Sequence, residues 1–365
     1  MTGALPSQHI LKLIRNGSIK NGNEANIQPA SLDLTVGEKI YRLPYIFLPK
    51  SDQNVEETAR EIGAEPFGFE YPLEVNVKYL VKLKEELELP KEVYGYANPK
   101  SSVGRLDLRV SMLADRVSRF DSAGEKGYKG TLWAVIEPKS FRVKIAPGDT
   151  LLQLRLFYSD SRLGDREIEK FYEDFRPIFI EDKPFEREQI KINDRDGSLI
   201  LTAGLENELI GWRCEKSSKF LDFSKRNYYD PKDFFTPIYK PKEQVIILRK
   251  GDFYIFYTRE KLRVPPGFAA EIEAMDVRSG EYRSHYAGFI DPGFGYGKNG
   301  EVKGMPIVLE MRPYEDDIVL RNKQPICKIA FERVAETPDI VYGEEKAGSH
   351  YATQSGPRLS KHFRT

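Results

Sequence analysis

Serine, arginine and glutamate recur in this chain in one order, twice. Lys100-Ser101 with Arg105 precedes Glu137, and Arg278-Ser279 with Arg283 precedes Glu310. An arginine beside a serine in a loop grips phosphate oxygens through two parallel hydrogen bonds and stays charged at any working pH. Glu137 ends the apolar run Trp133-Ala134-Val135-Ile136, and Glu310 ends Pro306-Ile307-Val308-Leu309. A strand-end glutamate facing a pocket is desolvated, which raises its pKa toward neutrality and suits it to shuttling protons. The competing reading is structural, a surface arginine in a salt bridge and a solvent-facing glutamate at a sheet edge. A third landmark favours chemistry. Ser31-Leu32-Asp33-Leu34-Thr35-Val36-Gly37 returns as Ser198-Leu199-Ile200-Leu201-Thr202-Ala203-Gly204. Three landmarks repeating in the same order mean two similar domains in tandem.

Other chemistries find no support. The four histidines, His9, His285, His350 and His362, form no H-x-E or H-E-x-x-H pattern. A zinc deaminase needs a His/Cys ligand set with a nearby glutamate, so no zinc site is expected. A nucleophile elbow, a Walker A loop and a dinucleotide fingerprint are likewise missing. Cys214 and Cys327 are too few for a disulfide framework and read as buried reduced thiols of a cytoplasmic protein. Lys plus Arg equals Asp plus Glu at 56 each, without the basic excess of a nucleic-acid polymer binder. No secretory leader and no run of 18 apolar residues is visible, so neither export nor a membrane span is expected.

The elements that must position these residues are mostly strands. Pro6 to Gly17 reads as a short helix with Ser7 as N-cap, Ile10, Leu11 and Ile14 on one face, and Gly17 as its stop. From there to Tyr158, short β-branched and aromatic runs alternate with Gly, Pro and Asn turns, Val75–Leu89 and Val143–Phe157 among them. Ser159 to Asp196 is more charged, with a helix expected over Arg166–Phe175. Strand texture resumes at Gln244–Arg249, Asp252–Thr258, Gly267–Ala274, Pro306–Met311 and Ile326–Glu332. Many short strands with turn punctuation indicate a sandwich or barrel rather than a βαβ sheet. Gly343–Thr365 reads as a flexible tail.

Taken in order, these motifs resemble the dCTP deaminase/dUTPase superfamily. Gln28-Pro29-Ala30-Ser31-Leu32-Asp33 is similar to its Q-P-A-S-x-D motif. Lys100-Ser101-Ser102-Val103-Gly104-Arg105 resembles R-S-S-x-x-R, and Arg278-Ser279-Gly280-Glu281-Tyr282-Arg283 resembles it again. Gly288-Phe289-Ile290-Asp291-Pro292-Gly293-Phe294 is similar to G-x-I-D-x-G-Y/F, and Val308-Leu309-Glu310 to the V-L-E that ends in the deaminase glutamate. His350-Tyr351-Ala352-Thr353-Gln354-Ser355-Gly356-Pro357 with Ser360 resembles the closing segment K-Y-Q-x-Q-x-G-P…S. The tandem arrangement resembles the double-length dCTP deaminases of some bacteria.

The resemblance implies a mainly β chain of two tandem dUTPase-like distorted, jelly-roll-like barrels with a few short helices. The expected division is a first β domain at 1–158, a charged connection at 159–195, a second β domain at 196–342 and a nucleotide-closing tail at 343–365. It implies hydrolytic deamination of dCTP to dUTP and ammonia in deoxynucleotide supply, with a dUTPase or bifunctional enzyme giving dUMP as the alternative. A non-catalytic nucleotide-binding paralogue is a third possibility. Glu310 or Glu137 is then the proton shuttle, and Ser279 with Arg283, or Ser101 with Arg105, hold water and base. Arg278 or Lys100 face phosphates, with Ser102 in the binding set, Tyr351 and Gln354 closing over the nucleotide and Asp291 activating water in the alternative. Mg²⁺ is expected on the triphosphate through waters, dTTP as an effector, and a trimer-based homo-oligomer. Three departures stand out. Ile200 replaces Asp33, Asp121 lies in Phe120-Asp121-Ser122-Ala123-Gly124 without the proline, and Tyr296–Gly304 is longer than the pattern. Either half is thus open to being degenerate, and the resemblance, with its sites between barrels, leaves open a working site that combines residues of both halves.

Overall fold

A computed structural model describes residues 2–192, 196–275, 282–283, 288–344, 351 and 354–364, with the backbone alone for Tyr282 and Arg283. The chain is mainly β and divides into two units. The first holds Met1–Asp160, Lys216–Asp233 and Ser360–Thr365; the second holds Ser161–Glu215 and Phe234–Leu359. Among the described residues no helix is long and apolar enough to cross a membrane.

In the first unit one antiparallel sheet runs in the order Tyr94–Pro99, Thr150–Phe157, Leu32–Leu43, Lys78–Glu88, Lys129–Pro138, Leu108–Ala114. The alternating burial of Lys78–Glu88 shows one face in the core and one toward water. The long Leu32–Leu43 strand turns at a bulge between Val36 and Ile40, and so pairs with both Thr150–Phe157 and Lys78–Glu88. Gly37 sits there because a Cβ would stand 2.7 Å from the Lys82 carbonyl oxygen. The opening helix spans Ser7–Arg15 with Pro6, not Ser7, at the N-cap. Proline's fixed φ suits that entry, and Ile10 and Leu13 carry the buried face.

The second unit splits the same design into two larger sheets and a two-stranded pair, Val245–Leu248 with Ile318–Arg321. Tyr254–Leu262 is central to one, paired with Leu209–Cys214, Ile178–Ile180 and Met305–Pro313; the other runs Leu199–Thr202, Pro325–Arg333, Phe268–Glu273, Phe289–Ile290. Helix Asp165–Phe175 packs Ile168, Phe171 and Tyr172 into this core, where Phe171 meets Phe331 at 4.5 Å. Both cysteines are buried thiols.

The repeat is exact enough to be read from hydrogen bonds. The Thr35 amide donates to buried Glu85 at 2.8 Å, as the Thr202 amide does to buried Glu260 at 2.7 Å. The Tyr79 hydroxyl accepts from the Glu74 amide, and that of Tyr254 from the Arg249 amide. Strand partners then correspond. Tyr79 faces Ile136, and Tyr254 faces Met311.

Two separate pieces complete the first unit. Phe220–Asp222 forms a parallel pair with Arg142–Lys144. Residues 360–364 are docked rather than a flexible tail. The Ser360 hydroxyl donates to the Ser102 carbonyl at 2.6 Å, the Asn227 amide to Lys361, the Tyr228 amide to His362, and the Arg364 amide to Tyr229. His362 and Phe363 are 0% and 2% exposed, and the apolar burial of Phe363 is worth about 1.5–3 kcal/mol.

Candidate active site

Glu137 lies on the Lys129–Pro138 strand, opposite Arg109. Its carboxylate is buried and already engaged, 3.1 Å from Lys139, 3.7 Å from Arg109 and 4.0 Å from Lys78. It lines a cavity of about 10 Å³ with Ile46, Arg109, Ser111, Phe120 and Val135, room for roughly one water. Val135 and Glu137 share that wall because alternate strand residues face one side. Nearby Asp121 takes a left-handed φ of 58° and accepts from the Met112 amide at 2.7 Å. Burial pushes its carboxyl up to about 6, against the hydrogen bonds from Met112 and Ser111 and the charges of Arg109 and Arg119.

Ser101 and Arg105 are not gathered around Glu137. Ser101 opens a single helical turn, Ser101–Gly104, with Lys100 at its N-cap and Arg105 at its C-cap. Arg105 and Ser102 are buried, and the Ser102 hydroxyl finds no hydrogen-bond partner among the described residues. Lys100 turns inward, to the carboxylate of Asp33 and to the Thr150 hydroxyl at 3.1 Å. Asp33 is 4% exposed, and burial raises its carboxyl despite Lys100 and Lys361. Lys361 is pulled down to about 8, first by burial and then by Lys100 and Arg226. Sequence reading passed over Lys361 and Arg109; an isolated lysine or arginine in a polar stretch gives no signal of burial.

In the second unit Glu310 is 3% exposed on the Met305–Pro313 strand, opposite Ile255. Two residues on, Arg312 donates to the Gly251 carbonyl and lies 5.7 Å over the Phe253 ring. The backbone of Arg283 stands opposite Arg312. Arg278 and Ser279 lie outside the described residues. Gln354 is buried, and its side-chain amide donates to the Pro306 carbonyl at 2.8 Å, on the strand that carries Glu310. Tyr351 is buried, and its carbonyl accepts from the Gln354 amide at 3.0 Å. The Trp212 indole holds the Pro357 carbonyl at 2.6 Å. Asp291 opens a turn closed by the Phe294 amide at 3.1 Å. The long Tyr296–Gly304 segment is stapled by Arg263, which donates to the Val302 and Gly300 carbonyls at 2.9 Å each and stacks 4.5 Å from the Tyr296 ring.

Strand register corrects the equivalence suggested by the repeated apolar runs. With Tyr79 matching Tyr254 and Ile136 matching Met311, the counterpart of Glu310 is Val135, and that of Glu137 is Arg312. Arg283 opposite Arg312 holds the place of Arg109 opposite Glu137, so it does not match Arg105. Asp121 and Asp291 also differ. The Ala97 amide bonds the Asp121 carbonyl, while the corresponding Ile272 amide bonds Gly288. The two halves thus share a scaffold, and the buried pair Glu85 and Glu260, but not the placement of Glu137 and Glu310 or of Asp121 and Asp291.

Known proteins resemble the chain along nearly its whole length. A family model described as 2'-deoxycytidine 5'-triphosphate deaminase, N-terminal domain, matches residues 1–160, and its C-terminal counterpart matches 183–363. A protein of Dictyoglomus turgidum named "dCTP deaminase, dUMP-forming" is 27% identical over 202 residues, 54% of this chain and 93% of its own. One of Methanosphaera stadtmanae with the same name is 28% identical over 142 residues, 37% of this chain and 68% of its own. The crystal structure of 2'-deoxycytidine 5'-triphosphate deaminase from Agrobacterium tumefaciens superposes with a TM-score of 0.84 at 32% identity, covering 95% of this chain and 98% of that one. With both domain models matched and that structure covered almost end to end, this double-length chain belongs to the dCTP deaminase family.

Proposed function

We propose that the chain deaminates dCTP and that its second unit performs the reaction. The observation that carries this reading is the buried Glu310 at a strand position where the first unit has Val135. Water adds to C4 of cytosine and ammonia leaves. Glu310 takes the water proton and returns hydrogens to N3 and to the departing amino group. Ser279 and Arg283 hold water and base, Arg278 meets phosphate, and Tyr351 and Gln354 close over the nucleotide. Mg²⁺ enters as the counter-ion of the triphosphate, which it meets largely through its waters. Lys100, Ser101, Ser102, Arg105 and Glu137 serve the first unit as structure, since Lys100 and Glu137 are committed to Asp33 and to three cations.

The product expected from sequence alone was dUTP. The relatives named dUMP-forming favour the bifunctional reading instead. In it Asp291 activates a second water against the α-phosphate, releasing pyrophosphate and dUMP. Incubation with dCTP and Mg²⁺, followed by ion-exchange chromatography and an ammonia assay, tests both steps. dUMP, pyrophosphate and ammonia in equal amounts are expected. Accumulating dUTP without pyrophosphate refutes the second step, and release of neither ammonia nor pyrophosphate by well-folded protein refutes both.

A further inference from the structure

The first unit carries a groove quite unlike the small cavity at Glu137. It is an open groove of about 1090 Å³ between Tyr94, Tyr96 and the loop of residues 115–129, a little above the roughly 300–1,000 Å³ of small-molecule sites. Tyr94 and Tyr96 stand edge to face at 5.7 Å, and Tyr94 stacks on Phe157 at 5.4 Å, so packing fixes the rings. Arg119 lies 5.2 Å from the Tyr96 centroid and Lys126 lies 5.9 Å from that of Tyr94. Gly124 and Gly127, with φ of 75° and 78°, turn the loop that returns Lys126 over its ring.

The groove is lined by Arg116, Arg119, Lys126 and Lys129 against Asp115 and Glu125. Asp115 points into the fold, accepting from the Val55 amide at 2.9 Å and from the Thr131 amide and hydroxyl at 3.1 and 2.6 Å. Lys129 is paired with Glu88 at 2.6 Å, and Arg116 donates to the Lys129 carbonyl at 2.6 Å. Exposed Arg119 and Lys126 make no salt bridge among the described residues. Fixed aromatic rings capped by long, exposed cations suit a ligand with a flat base and an anionic tail, the base taking the place of a cation on its ring and the phosphates meeting guanidinium and ammonium.

We propose that this groove is a second nucleotide site, which binds a nucleoside polyphosphate without transforming it. The proposal does not rest on the second unit's substrate. Equilibrium dialysis of the full chain with α,β-imido-dUTP, which resists cleavage, counts the sites. The parent is expected to bind one equivalent more than the Arg119→Ser/Lys126→Ser variant; equal stoichiometry overturns the proposal. Both side chains are exposed, and an unchanged Tm and sedimentation coefficient separate lost binding from lost folding or assembly. Tyr96→Ala is expected to weaken that equivalent about tenfold, the scale of one base stacked on one ring. Inorganic tripolyphosphate binding there as tightly as the nucleotide overturns the assignment to a nucleotide.

Discussion

Replacing Glu310 and Glu137 by glutamine, one at a time, separates the two units. Glutamine keeps the shape of the side chain and loses the ability to take and return a proton. A positioned acid–base group contributes about 10²–10⁴ in rate. Glu310→Gln is therefore expected to lower kcat for ammonia release at least about a hundredfold. Glu137→Gln is expected to leave kcat at the parent value and to act on stability. It strips the anion from Lys139, Arg109 and Lys78 at a side chain 7% exposed. Breaking a fully buried pair costs about 3–5 kcal/mol and a surface pair about 0–1. The three cations are 26%, 37% and 31% exposed, so the cost falls between these limits, about 1–2 kcal/mol. For a unit of this size that lowers Tm by about 2–8 °C. Single-turnover ammonia release and calorimetry on the same preparations read both quantities. Full activity in Glu310→Gln, or a hundredfold loss in Glu137→Gln at unchanged Tm, would refute the assignment of catalysis to the second unit.

Other expectations follow from burial. Phe363 is 2% exposed, so Phe363→Ala is expected to destabilise the first unit by about 3–5 kcal/mol, seen as an earlier urea transition; an unmoved midpoint would show that the C-terminal residues do not belong to its core. Asp121 gives a pH test. Its carboxyl is raised from 3.8 to about 6 in the folded chain, so the folded state holds that proton more tightly than the unfolded one. The associated stability is complete below about pH 3.8 and disappears as pH rises through about 6. Asp121→Asn lacks that loss, and its Tm relative to the parent is expected to climb between pH 4.5 and 7.5, with a ceiling of about 3 kcal/mol. A Tm difference independent of pH contradicts this.

The tandem β plan was legible because its signals are local. A bulge glycine with its Ser-Leu-x-Leu-Thr lead, the charged helix at Asp165–Phe175 and the Pro306–Met311 run each announce an element within a few residues. Register was not legible. Val-Ile-Glu and Val-Leu-Glu look alike as text, yet the two glutamates sit two strand positions apart, because pairing is decided by a partner strand some fifty residues upstream. The Tyr79/Tyr254 and Glu85/Glu260 pairs carried the correct spacing, and applying it to Glu137 would have led to Arg312. Docking of residues 360–364 is invisible in sequence for a similar reason. Ser360, Lys361 and His362 are polar by type, and only their long-range partners Ser102, Asn227 and Lys225 make them interior.

Completion of the first unit by Phe220–Asp222 and by residues 360–364 has a consequence for biogenesis. Its opening 160 residues emerge from the ribosome without the strand that covers Arg142–Lys144 and without the plug built on His362 and Phe363. The strands of the main sheet all lie within residues 19–157, but the surface that Phe220–Asp222 and residues 360–364 cover stays open until those segments have been translated. A nascent fragment that stalls early thus leaves apolar surface for chaperones and proteases to find.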